Sequence, residues 1–245
     1  MKTIKITLIL FLTATTFLFA QEKEKETDTP KKATFATKII HNSVAGFYPI
    51  FFGNFETNKS FDITFYTIFW TNPSFGNLQS GSDLLLETSV GLGFKFLNKS
   101  LYVNPSFGIT SGKFSSNSTG TKIAEGLVPS IYINYQKGIF DFEGYIAYYK
   151  SIREDDNIIT KDYLLNWMAP GIKVGNRVTL GAFYESFGIT RQEDADPLLV
   201  YQWLGASVKL KFDSNIIFRI SAGSTLNTDV GTSDEFYKVS AFIPL

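Results

Sequence analysis

The sequence predicts an all-β fold, an antiparallel up-and-down transmembrane β-barrel that most simply has twelve strands. Apolar and polar residues alternate along many segments of about 11–15 residues, and no window after residue 36 keeps a helical period for three turns. Alternation with period two is the signature of a β-strand with two different faces. Segments of this length are sufficient to cross a bilayer when the strand is tilted. Short and long polar connections also alternate, which is typical of outer-membrane barrels.

The composition excludes several classes of function. The chain has 245 residues, 23 Lys+Arg against 23 Asp+Glu, no Cys and one His. Without Cys there is no disulfide framework, thiol nucleophile or thiolate metal site. One His cannot form a two-His metal site, and the balanced charge gives no general attraction to nucleic acid. We therefore expect no cofactor, no metal and no nucleic-acid partner.

The N-terminus predicts export. Residues 1–20 contain Lys2 and Lys5, an apolar run over 6–19 and a small residue, Ala20, at a plausible cleavage point. This is the pattern of a cleaved signal peptide, and the apolar run is shorter than the ~20 residues of a membrane-spanning helix. Residues 21–36 are predicted to be a charged flexible leader, because 21–32 lacks apolar side chains. The barrel is predicted to occupy 37–245.

The strands follow from the alternation in chain order. Eleven are predicted, at 44–56, 61–72, 84–97, 101–113, 124–136, 139–151, 162–174, 178–190, 198–212, 216–227 and 236–245. Single-chain bacterial barrels usually have an even number of strands, and their short turns face the periplasm. The strand at 44–56 then needs a partner before it, and 34–43 is the only candidate. Twelve strands are predicted, with ten as the fallback if the first pair is irregular.

Alternation alone does not distinguish a membrane barrel from a soluble sandwich or lipocalin-like barrel. The polar faces are rich in Gly, Ser, Thr, Asn, Tyr and charges, as a lumen is. Tyr66, Tyr132 and Tyr145 fall on that inward face. Other aromatic residues gather near strand ends, where interfacial girdles lie: Trp70, Phe75, Tyr102, Phe140, Tyr148, Tyr201, Phe212 and Tyr237. These features favour a multi-pass barrel in the outer membrane of a Gram-negative bacterium.

The last strand has apolar residues at alternate positions, from Tyr237 to Leu245. It resembles the recognition strand read by the outer-membrane barrel-insertion machinery, except that Leu245 replaces the usual final aromatic residue. The expected partners are therefore outer-membrane lipid, the insertion machinery during biogenesis, and small polar solutes.

Several blocks resemble an uncharacterised family of small bacterial outer-membrane β-barrel proteins. They are 65–76 (FYTIFWTNPSFG), 124–129 (AEGLVP), 148–150 (YYK) and 201–205 (YQWLG). The resemblance covers most of 44–245 and implies the barrel fold, but no established activity. At the level of architecture alone, twelve strands also resemble nucleoside-specific channels and the outer-membrane phospholipase.

No catalytic or metal site is predicted. A phospholipase in such a barrel would need a Ser–His pair with an orienting Asn or Asp. The only His is in the string His41-Asn42-Ser43, where adjacent strand residues point to opposite faces. Residues 153–157 (REDDN) lack the alternate acids and the Gly of an EF-hand loop. The sequence therefore predicts a protein that is not an enzyme.

The candidate site is a belt of charges that strand parity places in the lumen. It comprises Asp62, Glu87, Lys95, Asp141, Glu143, Lys173, Glu185, Lys209, Lys211, Arg219 and Lys238. The turn centred on Ser214 makes Lys209 and Arg219 cross-strand neighbours, which are unfavourable together without an acid, water or anionic solute between them. A similar turn sets Lys173 opposite Thr179, and a register estimate places Asp141 near Lys173.

Two functions remain open. The belt lines a narrow pore for small polar solutes, with rings of charge tuning selectivity. Alternatively, it is a salt-bridge network that closes the barrel, which then acts as a structural or loop-displaying surface protein. Strand number does not decide between them, because twelve lies between filled eight-stranded barrels and open sixteen-stranded porins.

Overall fold

The computed structural model describes residues 32–57, 60–71, 85–115, 121–153, 159–193 and 195–245. The predicted signal peptide, residues 1–20, and residues 21–31 of the predicted leader lie outside the described residues. Within the described ranges, no helix is long and apolar enough to span a membrane.

Twelve strands form one closed antiparallel barrel, as predicted. They are β1 (Ala33–Asn42), β2 (Gly46–Glu56), β3 (Phe61–Trp70), β4 (Leu85–Phe96), β5 (Leu101–Gly112), β6 (Lys122–Lys137), β7 (Phe140–Ser151), β8 (Lys161–Val174), β9 (Val178–Gln192), β10 (Leu198–Lys211), β11 (Ile217–Asn227) and β12 (Glu235–Pro244). Each strand pairs with the next, and β1 pairs with β12 to close the barrel. β1 begins at Ala33, so residues 33–36 of the predicted leader belong to the first strand.

The connections divide the barrel into two ends. Those after β2, β4, β6, β8 and β10 are short, and those after β3, β5, β7, β9 and β11 are mostly longer. We take the end with the short turns as periplasmic, which is the usual orientation of outer-membrane barrels.

The outward face is apolar. Val90 and Phe107 are 62% and 56% exposed, although they lie in the middle of strands. Many other large apolar side chains share this surface, including Phe35, Phe51, Phe55, Ile63, Leu92, Ile131, Ile146, Leu180, Leu204 and Ile220. An apolar surface of this extent is unusual on a soluble monomer and is what hydrocarbon covers on a membrane barrel.

The aromatic residues predicted for the girdles divide between the two faces. Phe140, Phe212 and Tyr237 are exposed, as a lipid-facing girdle requires. Trp70, Tyr102 and Tyr201 instead face the lumen. There Trp70 bonds to Glu87, Tyr201 bonds to Glu185, and Tyr102 lines a cavity. Their girdle assignment is wrong, because a ring near a strand end can pack inside the barrel as well as against lipid. Phe75 lies outside the described residues.

The extracellular half of the interior is packed with side chains. We call this packing the aromatic core; its largest members are Tyr149, Tyr163, Phe183, Phe187, Tyr201, Trp203 and Phe236, with Phe114 against them. The Trp203 ring is fully buried and stacks on Tyr201 and Phe236, with centroids 4.0 and 4.8 Å away. Ring pairs at this spacing add to the stabilisation from burial.

The turn between β1 and β2 is short and folds into the extracellular end of the barrel. Val44 and Ala45 are only 7% and 6% exposed. Their backbone N–H groups donate to Asn42 Oδ1 over 3.0 and 2.6 Å, which closes an Asx-type turn. Gly46 follows with a φ of +66°, a conformation that Gly adopts without strain.

Candidate functional site

The lumen contains a cavity of about 600 Å³ beneath the aromatic core. At the periplasmic rim it is lined by the exposed residues Thr34, Gln136 and Pro244. At its inner end it reaches Trp70 and Tyr149. The cavity is therefore entered from the periplasmic side, and among the described residues it extends up to the aromatic core, where Tyr149 and Tyr201 line it.

The cavity wall is largely apolar and aromatic. On one side it presents Ile40, Tyr48, Ile50, Phe52, Tyr66, Ile68 and Phe242, and on the other Tyr132, Tyr145, Leu165, Trp167 and Phe183. The three tyrosines predicted to face inward, Tyr66, Tyr132 and Tyr145, are all part of this wall. The alternating pattern in the sequence did not predict how much of the inward face is apolar, because the side of each strand that carries polar residues also carries aromatic side chains.

Four of the predicted charges form one group, which we call the ion cluster: Asp141, Glu143, Lys209 and Arg219. Lys209 Nζ lies 2.5 Å from Asp141 Oδ2 and 3.2 Å from Glu143 Oε1. Arg219 Nη2 donates to the same Glu143 oxygen over 2.6 Å. Lys209 and Arg219 are register partners, as predicted. Glu143 is the acid that this like-charged pair requires.

Asp141 lies opposite a glycine on the neighbouring strand, and its carboxylate binds a lysine on a more distant strand. The register sets it opposite Gly171, two residues from Lys173, and its carboxylate binds Lys209. Lys173 pairs with Thr179, as predicted, and its Nζ lies 3.5 Å from Gln136 Oε1 near the rim. The register estimate could not show this because the ion pair between Asp141 and Lys209 spans the two intervening strands, β8 and β9.

The other predicted charges lie apart from the ion cluster. Lys95 pairs with Asp62 over 2.6 Å, Lys238 donates to Glu185, and Lys211 is exposed at the periplasmic end of β10. Lys95 is partly exposed, whereas Asp62 is buried, so this pair gives a buried carboxylate its cation.

Glu87 is fully buried in neutral surroundings. Its Oε1 accepts a bond from the Tyr66 hydroxyl over 2.9 Å. Its Oε2 accepts bonds from Trp70 Nε1 and the Tyr149 hydroxyl, both over 3.1 Å. Three hydrogen-bond donors therefore satisfy the carboxyl group of Glu87. No cation among the described residues is paired with it.

Lys38 is a lumenal cation that the sequence prediction missed. It lies on β1 and lines the cavity, with Nζ 5.6 Å from the centre of the Trp167 ring. β1 carries apolar residues at both parities, with Ile39 exposed and Ile40 buried, so its inward face was not assigned. The register of β1 with β2 would have identified Lys38, because its partner Ile50 faces the lumen.

His41 and Asn42 point to opposite faces, as predicted. Asn42 is buried in the lumen, whereas His41 is exposed outside and stacks on Tyr237 with centroids 5.6 Å apart. In the part of the chain that the structure describes, no group of three His, Cys, Asp or Glu side chains is arranged to hold a metal ion. Residues 154–157 of the acidic segment lie outside the described residues.

The twelve-stranded closed fold and the apolar exterior are those of an outer-membrane β-barrel. The chain belongs to a family of unknown function (DUF6733), whose model matches residues 1–245. No curated protein matches the chain.

Solved structures share this fold. An outer-membrane channel from Pseudomonas putida F1 superposes with a TM-score of 0.63 at 10% identity, over 91% of this chain and 100% of that one. A chain from a study of in-meso crystallization of membrane proteins gives 0.55 at 9% identity, over 86% and 84%. At these low sequence identities, the similarity shows a shared fold and nothing about function.

Proposed function

We propose that the protein is an outer-membrane channel for small solutes, exported after removal of residues 1–20. The observation that carries this proposal is the cavity of about 600 Å³, which enters the lumen from the periplasmic rim. A purely structural small barrel would fill this space with side chains. The insertion machinery and outer-membrane lipid are the partners that such a barrel requires.

The polar solutes predicted from the sequence would find their contacts on opposite sides of the cavity. Arg219 and Lys238, on β11 and β12, line the wall across the barrel from Asn104 and Asn134, on β5 and β6. Because Arg219 is held by Glu143, its guanidinium stays in place while a solute passes. Fixed charges beside a narrow path tune which ions cross.

A second function, the closed structural barrel, is favoured by the aromatic core. Trp203 is fully buried, and Phe236 is 3% exposed. If the core does not move, solute that enters from the periplasmic side cannot leave at the other end.

Planar-bilayer recordings of the refolded mature protein separate the two functions. We expect discrete current steps from the unmodified barrel. Absence of steps, from protein that shows the heat-modifiable gel mobility of a folded barrel, would contradict the channel.

A variant that lacks two side chains of the aromatic core directly tests whether the barrel is closed. Trp203→Ala with Phe236→Ala removes two stacked rings. A closed barrel gives steps only in this variant, whereas a channel gives steps in both proteins and larger ones in the variant. Phe212→Ala, on the exposed outer surface, is the matched control and should leave the current unchanged.

A further inference from the structure

We propose that the lumenal cavity binds small amphipathic anions, in which an aromatic or aliphatic body carries a single carboxylate or similar group, and that Lys38 is the cation that receives this group. The inference rests on the proposed function only in that the solute must enter the lumen.

Lys38 differs from the other cations around the ion cluster. Lys209 and Arg219 are bound to Glu143, and Lys238 is bound to Glu185. Among the residues that the structure describes, Lys38 has no carboxylate within ion-pair distance and makes no hydrogen bond; its contact is the face of Trp167. A cation–π contact stabilises an ammonium group but leaves its N–H donors available.

The charges around Lys38 do not balance. Lys38 lines the same cavity as Glu143, Arg219 and Lys238, and Lys209 is bound to Glu143. With Asp141 and Glu185, which hold Lys209 and Lys238, this part of the lumen has four cations and three carboxylates. The other buried acid nearby, Glu87, is enclosed by Tyr66, Trp70 and Tyr149 and does not line the cavity. A half-buried cation that lines a largely apolar cavity without an ion-pair partner is unfavourable, so an anionic group on the ligand would stabilise this region.

The apolar wall around Lys38 indicates the chemistry of the rest of the ligand. Trp167, Tyr132 and Phe183 lie on one side of the cavity, and Ile50, Phe52 and Ile68 lie on the other. The volume of about 600 Å³ is within the usual range for a small-molecule site. A small inorganic anion would leave these rings in water, and a neutral hydrocarbon would leave Lys38 without a counter-charge. An anion with an apolar body satisfies both.

Binding of 2-naphthoate to the full barrel in detergent tests the inference, with quenching of tryptophan fluorescence as the signal and empty micelles as the blank. We expect saturable quenching that Lys38→Met weakens about tenfold or more, since a hydrogen bond to a charged group is lost. Lys38→Arg keeps the charge and should retain binding. Lys137→Met, an exposed Lys outside the cavity wall, is the matched control and should bind like the unmodified protein.

The neutral analogue 2-naphthalenemethanol measures the contribution of the anion. It should bind the unmodified barrel at least about tenfold more weakly than 2-naphthoate and should be insensitive to Lys38→Met. The inference is overturned if 2-naphthoate does not saturate, if the alcohol binds equally well, or if Lys38→Met has no effect in protein with folded-barrel mobility. Because the assay needs no transport, binding without current steps would retain this inference and reject the channel, and steps without binding would do the reverse.

Discussion

Lys209 on β10 binds Asp141 on β7, Nζ to Oδ2 over 2.5 Å, although β8 and β9 lie between them in the barrel wall. Asp141 lies opposite Gly171, Gly171 opposite Gly181, and Gly181 opposite Ser207, two residues from Lys209. The two glycines leave the inner wall without side chains along this row. The ion pair therefore spans two strands over bare backbone.

Gly181→Ala should destabilise the barrel. A Cβ at this position would lie 2.0 Å from the backbone oxygen of Pro170 and 2.7 Å from Gly171 Cα, so strands β8 and β9 would have to separate. We expect a loss of about 1–3 kcal/mol in the free energy of unfolding, as in overpacked cores. Guanidinium titration of the refolded protein in lipid vesicles measures this loss.

Gly144→Ala is the matched control for this substitution. The nearest atom that its Cβ would meet is Phe142 Cζ at 3.1 Å, the far end of a side chain that can move. Equal losses at the two positions would show that close strand approach does not explain the glycine at 181.

Lys209→Met should destabilise the barrel more than a double substitution with Asp141→Asn. Asp141 is buried and has Lys209 as its ion-pair partner, so the single change leaves a buried carboxylate without a cation. Breaking a buried pair from one side typically costs about 3–5 kcal/mol, whereas neutralising both partners costs much less. A double-mutant cycle on unfolding free energies checks the coupling, and additive effects would disprove it.

Glu87→Gln should weaken the packing between β3, β4 and β7. The carboxyl group accepts bonds from Tyr66, Trp70 and Tyr149, whereas an amide has only one acceptor oxygen and adds two donors. At least one hydroxyl or indole N–H then loses its partner, at a cost of about 1–3 kcal/mol. Unfolding monitored by tryptophan emission measures the effect. Glu56→Gln, at an exposed position, should have no effect.

Neutralising Lys209 and Arg219 together should shift ion selectivity towards cations. The substitutions Lys209→Gln and Arg219→Gln leave Asp141 and Glu143 without their cations, and Glu143 lines the cavity of the proposed channel. Reversal potentials in a salt gradient report the cation/anion permeability ratio. An unchanged ratio in a conducting variant would mean that the ion cluster does not determine selectivity.

Local pattern was enough to predict the strands and much of the lumenal polarity. Alternation with period two placed Asp62, Glu143 and Arg219 on the inward face, and the turn at Ser214 determined the pairing of Lys209 with Arg219. Both inferences require only neighbours along the chain or across one tight turn.

Longer-range features could not be read in this way. The link from Lys209 to Asp141 depends on barrel closure and on two glycines in strands that neither residue occupies. Trp203 and Phe236 meet only because β10, β11 and β12 curve around one interior. Periodicity does not distinguish a ring that packs inside a lumen from one that faces lipid, since both surroundings are apolar.

The turn between β1 and β2, in which Val44 and Ala45 are buried, leaves a gap among the loops at the outer rim of the barrel. Val44 and Ala45 are tucked into the interior, so β1 and β2 present almost no loop at the cell surface. An antibody or a bacteriophage that approaches from outside would meet the connections after β3, β5, β7, β9 and β11 instead. Epitopes and attachment points are therefore expected around the rest of the rim, and an inserted affinity tag belongs there and not between β1 and β2.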